Sequence, residues 1–134
     1  MWSLERTLHA RTYLFVSAIE PLAAADAAWS SPTPIDLCVA GPSGAARNTA
    51  VFACAGRPVP IVEEPLLGAR RPGESDIELA GRYADALRAL YALDTHAALV
   101  VWDDLARTAG SPLLLDEGWL LHTAEQIERH LPPP

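Results

Sequence analysis

The chain has 134 residues, half of them hydrophobic, and a formal net charge of −7. That length fits one compact domain with a real core and leaves no room for two. Its ten basic residues are all arginine, they form no basic stripe, and the acidic balance excludes a sequence-independent nucleic-acid binder, whose affinity rests on neutralising phosphates.

The N-terminal MWSLERTLHAR carries Glu5 and no long apolar run, so it reads as a polar lead-in over residues 1–11 and not as a secretory signal. No segment approaches the roughly 20 apolar residues of a membrane span; the expectation is a cytoplasmic protein with no membrane contact. Residues 12–18 (TYLFVSA) have the β-branched and aromatic content of a buried strand. Pro21 then opens an Ala-rich helix to about Trp29. A second strand is predicted at 35–40 (IDLCVA) and ends in the turn Gly41-Pro42. Ser43 is placed to cap a helix running to about Ala55, with Gly56 as its stop.

Residues 58–62 (PVPIV) read as a short strand that its prolines confine to a sheet edge. Residues 63–74 form a turn-rich surface loop. The spacing predicts the longest helix from Ser75 or Asp76 to about Leu93, with a wide apolar arc and with Glu78, Arg82, Asp85 and Arg88 on the remainder. That arc is read either as a homodimer face or as burial within one subunit. Residues 97–102 (AALVVW) form the continuous apolar run of a central parallel strand. Beyond it, Leu113–Leu115 and Trp119–Leu121 suggest a hairpin, and Thr123 with Gln126 suggests the capping box of a last helix. Cys38 and Cys54 read as small core residues; a disulfide stays open, while their spacing suggests neither zinc nor redox chemistry. Alternating strands and helices predict one α/β domain over 1–134, a three-layer α/β/α sandwich with a mostly parallel central sheet.

The segment Ile35–Ala50, IDLCVAGPSGAARNTA, resembles the second signature of the histidine phosphatase (phosphoglycerate mutase-like) superfamily, in which D-L-V-Y-S-S-P is followed by x-x-R-A-x-Q-T-A on a helix. Asp36, Leu37, Pro42, Ala46, Thr49 and Ala50 fall in register. Upstream, YLFVSAIEP is similar to the family's first strand and its V-R-H-G-E-T motif, with Val16 and Glu20 matching. The strand before Trp102-Asp103-Asp104 is similar to the family's V-V-x-H-G-G strand. The three signatures keep their order over roughly residues 12–105, ahead of a shortened C-terminal part. The resemblance implies a truncated phosphoglycerate mutase-like fold.

The departures bear on function. Family chemistry uses a histidine that attacks phosphorus, arginines and a second histidine that hold the phosphoryl oxygens, and an acid for the leaving group. Carried onto this chain, the nucleophile position is Ala18, its preceding arginine is Ser17 and its following glycine is Ile19. The helix arginine is Ala45, and the second histidine is Asp103, followed by Asp104. Near the third strand, Leu66-Leu67-Gly68-Ala69 offers no carboxylate in register. His9, His96, His122 and His130 lie elsewhere; His96 precedes its strand by a length that puts it on the order of 20 Å from the active end. With Glu20, Asp103 and Asp104 near the degenerate pocket, the potential expected there is inverted and repels phosphate. Arg47 is about 200° around its helix from Ala45 and faces away.

The resulting expectation is a pseudophosphatase that acts by binding an unidentified protein or small molecule, in a regulatory or scaffold role, without a cofactor. The alternative is an enzyme with repurposed, metal-assisted chemistry at Glu20, Asp103 and Asp104; against it stands the reading of these acids as solvated strand ends. A third reading is a residual phosphate-ester binder using the helix N-terminus at Ser43 and Gly44 with Arg70 or Arg71. The loop arginines are otherwise solvated, and Trp29, Trp102 and Trp119 are otherwise core.

Overall fold

A computed structural model describes residues 3–8, 11–17, 21–30, 34–68, 70–93, 95–102 and 117–130. The elements in chain order are β1 (Ser3–Leu8), β2 (Arg11–Ser17), α1 (Pro21–Ser30), β3 (Leu37–Ala40), α2 (Gly44–Ala53), β4 (Ile61–Glu63), α3 (Asp76–Tyr91), β5 (Ala97–Trp102) and α4 (Glu117–Glu128), with a 3-10 turn at Pro65–Leu67. The strands form one sheet in the order β1-β2-β5-β3-β4. β2, β5, β3 and β4 run parallel, and β1 pairs antiparallel with β2. The molecule is therefore an α/β protein.

β5 is central because every residue of AALVVW is buried; a strand wet on one face would alternate polar with apolar, and this one has no polar residue to expose. Its side chains divide by parity. Ala98, Val100 and Trp102 join Tyr13, Phe15 and Val39 under Leu79, Tyr83, Leu87 and Leu90 of α3 and Ala124 and Ile127 of α4. Ala97, Leu99 and Val101 join Leu14, Val16, Cys38 and Ala40 under Ala28 of α1 and Ala46, Ala50 and Ala53 of α2. Trp102 is fully buried, with its ring edge-on to Tyr83 at 5.1 Å between centroids. Trp29 ties α1 to α2 by donating its indole N–H to the Ala53 carbonyl at 2.6 Å, with Arg57 stacked 3.8 Å over its ring. Both tryptophans serve packing; the side chain of Trp119 lies outside the described residues.

Three expectations are corrected. The lead-in contains β1: Glu5 and Thr7 share one face of the strand and are exposed, so a polar stretch serves as a half-wet edge strand. The hairpin expected across residues 113–121 fails in its second half, since Trp119–Leu121 is helical, while Leu113–Leu115 lies outside the described residues. Thr123 and Gln126 therefore sit inside α4, and Gln126 meets the His122 ring at 3.1 Å where a cap was expected. Ala124 and Ile127 turn one helical face of α4 to the core.

The apolar arc of α3 is covered within the chain by the Tyr13, Phe15 and Trp102 cluster, and Ile77 at its first turn is 85% exposed. Arg82, assigned to the polar side of that helix, is only 7% exposed.

Candidate functional site at the carboxyl ends of the strands

The three segments of the resemblance lie side by side. β5 is flanked by β2 and β3, with Ser17 level with Trp102 and Ala40 level with Val101. The Gly41 N–H extends the ladder to the Val101 carbonyl at 2.9 Å. β2 and β3 both lead into helices on one face, α1 and α2, whereas the next described helix after β5 is α4 on the other face. In parallel α/β sheets ligands usually bind in a crevice outside the carboxyl ends of neighbouring strands, which makes the carboxyl ends of β2, β5 and β3 the candidate position.

The turn from β3 into α2 forms the described wall of that crevice. The Ser43 hydroxyl accepts from the Ala46 N–H at 3.0 Å and caps α2, as its sequence position requires. Ala45, in the first turn, is exposed and carries only a methyl group. Ala46, Thr49 and Ala50 are fully buried, and Val16 on β2 is 2% exposed. Asp36 works at the opposite end of the sheet: its carboxylate accepts from the Thr95 hydroxyl, from the His96 N–H at 3.1 Å and from the Ala97 N–H at 3.3 Å. Desolvation raises the Asp36 pKa, but these three bonds outweigh it and hold the carboxyl below its ordinary range. The matched residues whose side chains are described thus mostly pack the sheet or tie β3 to β5.

Ser17 ends β2, and its side chain lies outside the described residues, as do Ala18, Glu20, Asp103 and Asp104 entirely. By sequence, Asp103 follows Trp102 directly, and Glu20 follows three residues after the Ser17 that Trp102 pairs with. Among the described residues no three histidine, cysteine, aspartate or glutamate side chains gather in a metal-binding group.

The loop after β4 is more ordered by side chains than its turn-rich sequence suggests. Arg82 donates to both carboxylate oxygens of Glu74 at 2.9 Å and to the carbonyls of Leu66 and Gly68 at 2.8 and 2.9 Å. Hydrogen bonding to Arg82, with a lesser opposing effect of burial, lowers the Glu74 pKa to about 2. Tyr83 adds a bond to the Gly68 carbonyl at 2.8 Å. Gly68 is thereby pressed on the turn at the crevice: a Cβ there would lie 2.9 Å from Cγ of Pro42. Arg70, expected to be solvated or to swing towards the pocket, pairs instead with Asp76 and with the Glu74 carbonyl, and Arg71 is exposed. Ser75, at the expected start of the helix, caps α3 in a capping box with Glu78. The fourfold use of Arg82 had no sequence signal, because its partners lie on the far side of a turn.

Arg47 faces outward and pairs with Glu63 at 3.0 Å. Of the four histidines, His96 stands exposed at the amino end of β5, His122 and His130 lie at α4, and His9 is outside the described residues. A cleft of about 550 Å³ lies between α3 and α4, lined by Ala84, Arg88, Thr123, Gln126, Ile127 and neighbours. It opens at the last turn of α3, which leads to the Leu93 carbonyl held by Arg11 at the start of β2. It therefore lies towards the amino ends of the strands, away from the crevice. No helix among the described residues is long and apolar enough to cross a membrane.

No family model, curated protein or solved structure matches this chain.

Proposed function

We propose that the chain is a three-layer α/β/α sandwich of the phosphoglycerate mutase-like kind, and that it is a pseudophosphatase which binds at the carboxyl end of its sheet without phosphohistidine chemistry. One observation carries this reading. Within the signature on β3 and α2, the matched residues Ala46, Thr49 and Ala50 are buried packing and Asp36 ties β3 to β5, whereas Ala45, where the family places an arginine, is exposed beside the crevice. A signature that keeps its packing residues and lacks its phosphate-facing residue fits a scaffold that has given up phosphotransfer. Neighbouring β2 and β5 lead into Ala18 and Asp103, neither of which can serve as a phosphoryl nucleophile or a cationic clamp.

The unfolding midpoint, measured with vanadate, phosphate, Mg²⁺, Ca²⁺ and Mn²⁺ at constant ionic strength, tests the proposal. A hundredfold excess over Kd of a ligand that binds only the native state adds about 2.7 kcal/mol. The expected result is no shift with either oxyanion and no hydrolysis of an aryl phosphate. A vanadate shift abolished by a crevice substitution would overturn it. A shift with one divalent cation, lost in Asp103→Asn, would instead establish the metal-assisted reading at Glu20, Asp103 and Asp104, which the pairing of Ser17 with Trp102 keeps in view.

A further inference from the structure

We infer that the free edge of β4 is the contact surface for a second copy of this chain, joined by antiparallel β4–β4 pairing about Val62. The inference rests on the sheet alone and is independent of the proposed function.

Among the described residues β4 is the outer strand of the sheet, and none of them pairs with its other edge. Its inner partner uses alternate residues only: the Cys38 N–H donates to the Pro60 carbonyl at 2.9 Å, and the Glu64 N–H donates to the Ala40 carbonyl at 2.8 Å. In that parallel register residues 60, 62 and 64 face β3, so the N–H and C=O groups of Ile61 and Glu63 point outward. Pro58 and Pro60 share the inward parity. Their missing donors therefore leave the outer edge unprotected, although proline commonly blunts such edges. No lysine guards it either, since the chain has none.

The outward groups are self-complementary. An antiparallel copy placed with Val62 opposite the partner's Val62 sets Ile61 opposite the partner's Glu63, and the converse. Each of those two pairs exchanges two backbone hydrogen bonds, so four outward groups per chain are satisfied. Shifting the centre to Glu63 would oppose like charges, which disfavours that register.

The side chains along this edge suit the same occupant. Ile61 is 41% and Val62 45% exposed, and on the adjacent helix Val51 and Phe52 are 55% and 48% exposed. These four account for all but one of the exposed large apolar side chains among the described residues, the other being Ile77. Val51 lies one turn beyond Arg47, whose guanidinium reaches Glu63, so Val51, Ile61 and Glu63 form one strip on the α2 face of this edge, while Val62, level with Val39, is exposed on the α3 face. The strip carries one positive and one negative charge on a molecule of net charge −7. Two copies approach there without the repulsion their other surfaces impose. A two-fold axis makes the contact closed and isologous. A three-residue strand with one flanking helix makes a small interface, and micromolar affinity is the corresponding expectation.

The test is register-specific crosslinking in the full chain. In a non-hydrogen-bonded antiparallel pair the Val62 Cα atoms lie about 4.5 Å apart, within disulfide reach. The two Ile61 positions are offset diagonally by about 8 Å, outside it. Val62→Cys is expected to give a covalent dimer under mild oxidation by oxidised glutathione, and Ile61→Cys is expected to give at least tenfold less. Sedimentation of the unmodified protein at high micromolar concentration should give a mass near twice the 14.4 kDa of one chain, reverting to one chain in Ile61→Glu, which sets a like charge opposite the partner's Glu63, with an unchanged circular dichroism spectrum. A monomer at every concentration, or equal crosslinking at both positions, would overturn the inference. So would a dimer that Ile61→Glu leaves intact.

Discussion

Arg82 and Glu74 form the most committed pair among the described side chains, 6% and 9% exposed. Removing one partner of such a pair leaves the other charge buried, which costs about 3 kcal/mol. Glu74→Gln should lower stability by that amount at pH 7, as measured by urea unfolding. The Glu74 carboxyl titrates near 2 in the folded protein against 4.5 ordinarily. Its stabilisation is complete above pH 4.5 and is lost as pH falls through the folded value. The stability difference between the native chain and Glu74→Gln should therefore shrink between pH 4.5 and 2. Asp36, also held below its ordinary range, contributes with the same sign but to both proteins, so it cancels in that comparison.

At the scale of elements, the sheet's middle and its carboxyl rim can be probed separately. Leu99 is fully buried on β5 among side chains from both neighbouring strands. Leu99→Ala should cost about 3 kcal/mol, whereas Ile77→Ala on α3 should stay within about 0.5 kcal/mol. Gly68 joins the loop clamp to the β3–α2 turn, and its Cβ would lie 2.9 Å from Pro42. Gly68→Ala should cost about 1–2 kcal/mol by forcing two backbone segments apart; chemical-shift changes centred on Pro42 to Ala46 would check the location. The strands and helices of this sheet were largely legible, because each carries its own periodicity or a continuous apolar run. β1 and the first turns of α4 were not. A polar edge strand looks like a lead-in until its partner is known, and a Leu-Leu pair beside glycine suits a hairpin as well as a helix.

At the scale of the whole molecule, the two apolar clusters share the same strands, alternating residue by residue. Neither can be lost while the other stays packed. Far-ultraviolet circular dichroism and tryptophan fluorescence should give coincident single transitions. Cys38 and Cys54 are free thiols, 0% and 5% exposed, in the cluster under α1 and α2. Their reaction with an aromatic disulfide reagent should follow global opening and accelerate in Leu99→Ala in proportion to the lost stability. Rapid labelling of the native protein at an unchanged rate in that variant would contradict the single cooperative unit.

The sequence by itself determined the α/β class, the centrality of β5, the cap of α2 and the start of α3. These follow from apolar periodicity and from hydrogen-bond needs that neighbouring residues satisfy. Only the tertiary structure decided the strand order, which sets Ser17 beside Trp102 on one side of β5 and the turn after β3 on the other. It likewise decided that Arg82 is buried and that the outward groups of β4 repeat about Val62. Those features depend on pairing between distant segments, and no local pattern encodes which strands meet or which of a strand's two edges stays free.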